Sequence, residues 1–238
     1  MSLHILPTRM AGAAENMAID FLLLQRYPHA SASRFRHYGW RAPAFTFGYG
    51  QKIAFVREQL PRDEVFDLCR RPTGGGIVDH RDDWTYALVL PRNHPLEEVR
   101  AMLSYRAVHE ALAGALREQG IAAVVKPAAD PAEDATPGVC FQRAEVFDVV
   151  DERTGSKIAG AAQKRNKHGL LFQGSMARAA VPAGHFAWDD FEQQFAAQLA
   201  CALGQDGGPV HVPWPEFDDD EVAGLSEQYA TPEWIEKR

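Results

Sequence analysis

The chain has 238 residues, 46% hydrophobic and 24% charged, which is enough for a full buried core and excludes a disordered or fibrous protein. Its formal net charge of -7 supplies no basic field for a phosphate backbone, so nucleic acid is not an expected partner, and an acidic protein partner would need a local basic patch. No apolar run reaches the roughly 18 residues of a membrane span, and MSLHILPTRM lacks the charged-then-apolar order of a secretory signal, so a cytoplasmic protein with no membrane partner is expected.

Along the chain, Glu15 to Tyr27 places Met17, Ala18, Phe21, Leu22 and Leu24 at helical spacing and predicts an amphipathic helix with one buried face. From Ser33 to Leu90 the pattern turns to short β-rich runs (SRFRHY, AFTFGYG, VFDLC, WTYALVL) between Pro, Gly and Asp. A second helix is predicted from about Leu96 to Gln119, with Val99, Met102, Leu103, Val108, Ala111, Leu112 and Leu116 as apolar positions and Gly120 as its stop. The strand IAAVV follows, then PAADPAEDATPG at 127–138, which reads as a surface loop. AEVFDVV and SKIAGAAQ are predicted strands joined by a turn over Asp151 to Gly155, and GLLFQGSM supplies a further strand. Asp189 to Leu203 is predicted as a helix opened by an Asp-Asp cap, and the acidic tail from Phe217 as one short helix ending near Trp234. No repeat, heptad or domain-sized linker interrupts the chain, so 1–238 is expected to form one domain, with 205–238 as a tail.

Three features could carry chemistry. Arg70-Arg71-Pro72-Thr73-Gly74-Gly75-Gly76 lets backbone approach a ligand closely beside charge-assisted donors, although a glycine run between strands is also what a plain turn looks like. It has neither the P-loop nor the dinucleotide order of glycines. Lys157-Ile158-Ala159-Gly160-Ala161-Ala162-Gln163 starts a strand of small residues, which either leaves room for a flat apolar ligand or marks a tight sheet crossing. Cys140 sits at a loop-to-strand junction, where a nearby cation could ionise it, whereas Cys69 and Cys201 lie in core-like runs. The nine histidines show no ligand spacing, so no metal site is expected, and no serine-nucleophile elbow is present.

Taken in order, NMAID (16–20), FGYGQ (47–51), RRPTGGGIVDH (70–80), CF (140–141), KIAGAAQ (157–163) and FQGSM (172–176) resemble the biotin/lipoate protein ligase and octanoyltransferase superfamily over nearly the whole chain. The resemblance is closest to the lipoate-protein ligase A-like group, and within it to the cysteine-dependent octanoyltransferase branch, since Cys140-Phe141 stands where lipoate ligases more often carry Asn-Asp. It implies an α+β fold, a mixed, largely antiparallel sheet with packed helices, which the coarse pattern also suggests. It further implies transfer of an octanoyl or lipoyl group from acyl carrier protein to a lysine of a lipoyl domain or glycine-cleavage H protein.

In that resemblance Cys140 and Lys157 are the catalytic pair and no cofactor is required. Arg71, Thr73, Gly74, Gly75, Gly76, Gly160, Ala161 and Ala162 line the acyl tunnel, with His80, Gln163, Gly174 and Ser175 as secondary contacts. Two other readings stay open: an ATP-dependent lipoate ligase, which would use ATP and Mg and make Cys140 incidental, and a non-catalytic acyl- or lipoate-binding protein. In a hairpin centred on residues 153 and 154, Lys157 faces Val150, so a meeting of Cys140 with Lys157 needs the preceding loop to fold back.

Overall fold

Alternate residues of the long β runs face two different helical layers, and this alternation sets the architecture. The computed structural model describes residues 2–27, 29–128, 144–181, 186–205, 207–217 and 219–237. In chain order the elements are β1 (Leu3–Ala11), α1 (Ala13–Gln25), β2 (Ser33–Trp40), β3 (Ala44–Phe47), α2 (Ile53–Gln59), β4 (Asp67–Arg70), β5 (Ile77–Asp79), β6 (Asp83–Pro91), α3 (Pro95–Glu98) and α4 (Ala101–Glu118). They continue as β7 (Ala123–Val125), β8 (Val149–Asp151), β9 (Lys157–Asn166), β10 (Gly169–Ala177), α5 (Trp188–Ala202), β11 (Pro209–His211), α6 (Asp219–Ala230) and α7 (Pro232–Ile235).

Eight strands form one sheet in the order β11-β1-β2-β6-β10-β9-β8-β7, parallel where β1 meets β11 and β2 and antiparallel elsewhere. A second sheet, β4-β3-β5, carries the glycine run between its last two strands in sequence. This is the mixed, largely antiparallel α+β arrangement expected. On one face of the large sheet Trp84, Tyr86, Leu88, Leu170 and Phe172 pack against Leu112 and Leu116 of α4 and Phe191, Phe195 and Leu199 of α5. On the other, Ala87, Val89 and Leu171 pack against Met17, Leu23 and Leu24 of α1. Each fully buried large apolar side chain contributes about 1.5–3 kcal/mol, so the two layers together fix the sheet.

Several local expectations change. Helix α1 buries Ala13, Asn16, Met17, Ala18, Ile19, Asp20, Leu22, Leu23 and Leu24, more than one face, because Val222, Leu225 and Tyr229 of α6 cover the side turned away from the sheet. The helix expected over 96–119 is broken: Val99 and Arg100 are extended between α3 and α4, while His94 caps α3 by accepting the Leu96 N–H at 3.1 Å. The break turns Met102 and Leu103 outward, 56% and 51% exposed, although Gly120 does stop the helix at φ +78°. Helix α5 begins at Trp188, so Asp189 and Asp190 lie in its first turn, favourable to the dipole, and not at the cap. Cys201 on α5 is exposed rather than core-like, and the tail forms two helices instead of one.

Of the predicted strand AEVFDVV only Val149 and Val150 are extended, in β8, because Asp148 accepts the Glu145 N–H at 2.7 Å and closes a turn with Phe147 at φ +69°. The hairpin itself is as expected. Asp151 Oδ1 accepts the N–H groups of Arg153 and Thr154, Gly155 adopts φ +71°, and Val150 pairs with Lys157. Strand β1, unmarked in the sequence reading, supplies Leu3, Ile5 and Leu6 to the core.

Candidate active site

The three long strands β6, β10 and β9 lie side by side, so residues on their α1-facing side form the floor of a cavity. The glycine loop from the small sheet and helix α1 close over it. The cavity is lined by eight of the residues singled out in the sequence: Arg71, Gly75, His80, Gly160, Ala161, Ala162, Gly174 and Ser175. Met17, Tyr38, Thr46, Val78, Thr85 and Gln173 complete the lining and were not foreseen. An apolar floor of small residues with a few polar groups in the wall suits a ligand with an apolar chain.

Arg71 braces the loop. Buried to 4% exposure, it donates from Nη1 to Thr46 Oγ1 and from Nη2 to the carbonyls of Gly74 and Gly76, each at 2.8 Å. Gly74 and Gly76 therefore serve through their carbonyls and do not line the cavity, whereas Gly75, at φ +86°, lies against Ala162. Arg70 faces elsewhere, donating to the carbonyls of Tyr49, Gln51, Trp234 and Ile235, and so ties the C-terminal helix to the loop.

From Arg71 a polar chain runs along one wall. Thr46 Oγ1 accepts from Arg71 and is therefore free to donate to His80 Nε2 at 2.7 Å, which leaves the His80 Nδ1 proton for Asp83 Oδ2, also at 2.7 Å. Ser175 Oγ and Thr85 Oγ1 donate to the same Asp83 oxygen, and Trp40 stacks on His80 with ring centroids 4.0 Å apart. Burial pushes the Asp83 carboxyl upward, but His80 and the two hydroxyls outweigh it and hold the group below its ordinary value.

A second chain anchors the floor to α1. Thr73 Oγ1 donates to Gln173 Oε1 at 2.8 Å, and Gln173 Nε2 donates to Asp20 Oδ2 at 2.7 Å. Asp20 also accepts from the Tyr38 hydroxyl and pairs with Arg36, 2.6 Å away and fully buried. Thr73 thus binds the framework of the cavity and not its interior. Gln163 lies farther away: it pairs with Phe172, shares that residue's face of the sheet, and donates to the Ala101 carbonyl at the start of α4.

At the β9 end of the cavity Lys157 is buried, its Nζ 2.7 Å from Asp148 Oδ2, with side-chain exposures of 4% and 8%. The ammonium crosses directly over Gly160, where an added β-carbon would stand 2.8 Å from Nζ and 2.7 Å from Asp148 Oδ1. Gly174 is small for a different reason, since the Tyr86 ring fills the space its side chain would take. Cys140 and Phe141 lie outside the described residues. Of the two other cysteines, burial pushes the Cys69 thiol up to about 12, which suits an inert core group.

Comparison with known proteins agrees with this geometry. The lipoyl protein ligase A/B catalytic domain model matches residues 12–180. Octanoyltransferase LipM of an Exiguobacterium species is 31% identical over 81% of this chain and 73% of its own length. The LipM proteins of Bacillus cereus and Geobacillus kaustophilus are each 32% identical over 68% of the chain, a match spanning 60% of their length. Among solved structures, a lipoate-protein ligase A bound with ATP superimposes with a TM-score of 0.71 at 18% identity, covering 99% of this chain and 98% of that one. The ligase of a bi-partite lipoylation system from Thermoplasma acidophilum gives 0.68 at 17% identity, covering 99% and 97%. The chain belongs to the lipoyl protein ligase A/B catalytic domain family.

Proposed function

We propose that the chain is a protein-lysine octanoyltransferase that takes an octanoyl group from a carrier thioester and passes it to a lysine of a lipoyl domain through an acyl-enzyme on Cys140. One observation carries this reading: a buried lysine crosses the small-residue floor of an apolar cavity, in a chain whose relatives include octanoyltransferases. The Cys140 thiolate attacks the thioester carbonyl, a new C–S bond forms, and the carrier thiol leaves and takes up a proton. The acceptor ε-amine then attacks the acyl-enzyme, an amide forms, and the Cys140 thiolate returns as the amine loses its proton.

Lys157 supplies the positive charge that holds the thiolate and polarises the acyl carbonyl, where a fixed donor in a dry site acts most strongly. Arg71, Thr73, Gly74, Gly75 and Gly76 shape the loop over the acyl chain; Gly160, Ala161, Ala162, Gly174 and Ser175 form its floor, with His80 in the wall. Gln163 holds the first turn of α4 against β9, outside the cavity. A thioester is already activated, so no ATP, metal or other cofactor takes part. Acyl carrier protein is the donor, and a lipoyl domain or glycine-cleavage H protein the acceptor, in the cytoplasm, with residues 1–238 acting as one catalytic domain.

Incubation with octanoyl-acyl carrier protein in the absence of ATP, followed by intact mass spectrometry, tests the reading. The expected result is a gain of one octanoyl group, lost in Cys140→Ser because an unactivated hydroxyl replaces the thiolate poorly. Modification of a lipoyl domain only with free octanoate, ATP and Mg, undiminished in Cys140→Ser, would make the chain a ligase.

A further inference from the structure

Asp148 was not marked by the sequence and has no part in the reaction as written above, yet it is built with care. Its carboxylate oxygen Oδ2 stands 2.7 Å from Lys157 Nζ and also accepts the Glu145 N–H at 2.7 Å. Its carbonyl accepts the Lys126 N–H at 2.9 Å, and the preceding Phe147 N–H donates to the Lys126 carbonyl at 2.9 Å. The Phe147 carbonyl is held in turn by His109 Nδ1. Phe147 itself adopts φ +69°, a left-handed conformation that a bulky residue seldom takes and that persists only where its surroundings impose it.

A buried ion pair is a poor way to gain stability, because desolvating both charges cancels most of their attraction and an apolar pair of equal size does as well. Here a strained turn aims a carboxylate at a lysine, and Gly160 leaves the space in which the two side chains meet beside the cavity. We propose that Asp148 is a positioning residue, which holds the Lys157 ammonium across Gly160 and so presents it at the acyl-binding cavity. The inference rests on the acyl-transfer role given to Lys157 above. It assigns Asp148 no contact with substrate. Without the carboxylate, the ammonium loses the charge partner that aims it across Gly160, and a displacement of about 1 Å at a polarising group can cost on the order of 100-fold in rate.

Four chains decide the matter: the unaltered protein, Lys157→Ala, Asp148→Asn and Asp148→Glu, each assayed for octanoyl transfer and for labelling of the Lys157 amine by trace acetic anhydride at fixed pH. In Asp148→Asn, kcat is expected to fall on the order of 10- to 100-fold with KM for the octanoyl carrier within about twofold. Amine labelling should rise several-fold as the lysine loses its carboxylate, and Asp148→Glu should restore part of both. A merely structural carboxylate would leave the labelling of correctly folded protein unchanged. Normal turnover in Asp148→Asn beside an inactive Lys157→Ala overturns the positioning inference and leaves the transfer reading intact. Normal turnover in Lys157→Ala removes the role given to Lys157, and labelling then decides alone, an unchanged yield overturning the inference. Should Asp148→Asn fail to fold, Asp148→Glu is read by the same two measurements, and no change in either overturns it.

Discussion

Lys157 and Gly160 share one volume: the ammonium of the first lies where the side chain of the second would begin, 2.8 Å from an ideal β-carbon. The atoms a methyl group would displace are the tips of two side chains, Lys157 Nζ and Asp148 Oδ1, so the strand need not move. Gly160→Ala is therefore expected to fold with a loss of about 1–3 kcal/mol from overpacking. Turnover should fall by about 100-fold, because the polarising charge is pushed aside. Thermal melting beside an octanoyl-transfer assay checks this, and a folded alanine variant with full turnover would show that the lysine is not used in the position it occupies.

Gly174 should behave in the opposite way. Its β-carbon would overlap two carbons of the Tyr86 ring and crowd the hydroxyl, and the ring packs against Phe35, Trp84 and Phe195 with centroids 5.2–6.0 Å away. A ring so enclosed cannot rotate out of the way, so Gly174→Ala is expected to cost at least about 1–3 kcal/mol. For a domain of this size that lowers Tm by roughly 2–4 °C per kcal/mol. The Gly160 and Gly174 variants thus separate activity from stability, and a Gly174→Ala protein with an unchanged melting curve would contradict the packing described.

How these residues assemble was legible only where a motif matched a strand face. Arg71 and His80 from one motif, Ala162 from a second and Ser175 from a third meet because β9 and β10 pair in register and the glycine loop closes over them. Gln163 belongs to the same motif as Ala162, but the alternation of a strand sends it to the α4 side, which its place in the motif does not reveal. Asp20, Gln173 and Asp148 went unnoticed because polar residues read as solvent-facing until their partners are known, and those partners lie 16, 153 and 9 positions away. The interruption of the second helix at Val99 and Arg100 carries no glycine or proline to announce it. Likewise α1 carries Asn16 and Asp20 on the face it turns to the large sheet, where Arg36 and Gln173 meet them, so its pattern of apolar residues understates its burial.

Asp20 predicts the largest single loss of stability. It neutralises Arg36 in a site where both side chains have no exposure, and removing one partner of such a pair strands the other charge. Asp20→Ala is expected to cost about 3–5 kcal/mol. Gln173→Leu, which leaves the Thr73 hydroxyl without its acceptor and takes one of the two donors from Asp20 Oδ2, should cost about 1–3 kcal/mol. Urea unfolding at neutral pH orders the two, and a milder effect for Asp20→Ala than for Gln173→Leu would overturn the ranking.

His109 predicts how the fold responds to acid. Burial lowers its pKa, and the opposing pull of Asp148 and of the Phe147 carbonyl does not restore it. The folded protein therefore holds the ring neutral, with Nδ1 donating to Phe147 and Nε2 without a partner among the described residues. An unfolded chain takes up the proton near the ordinary value of about 6.5, so it binds more protons than the native state just below that pH. The stability this group contributes is complete above about 6.5 and is lost as pH falls toward its lowered native value. His37 and His94 are lowered by burial too, so one substitution should reduce the acid slope without removing it. Denaturant melts between pH 7.5 and 5 are expected to show a shallower loss in His109→Gln than in the unaltered protein. Equal slopes would mean that His109 does not set the acid limit of the turn that carries Asp148.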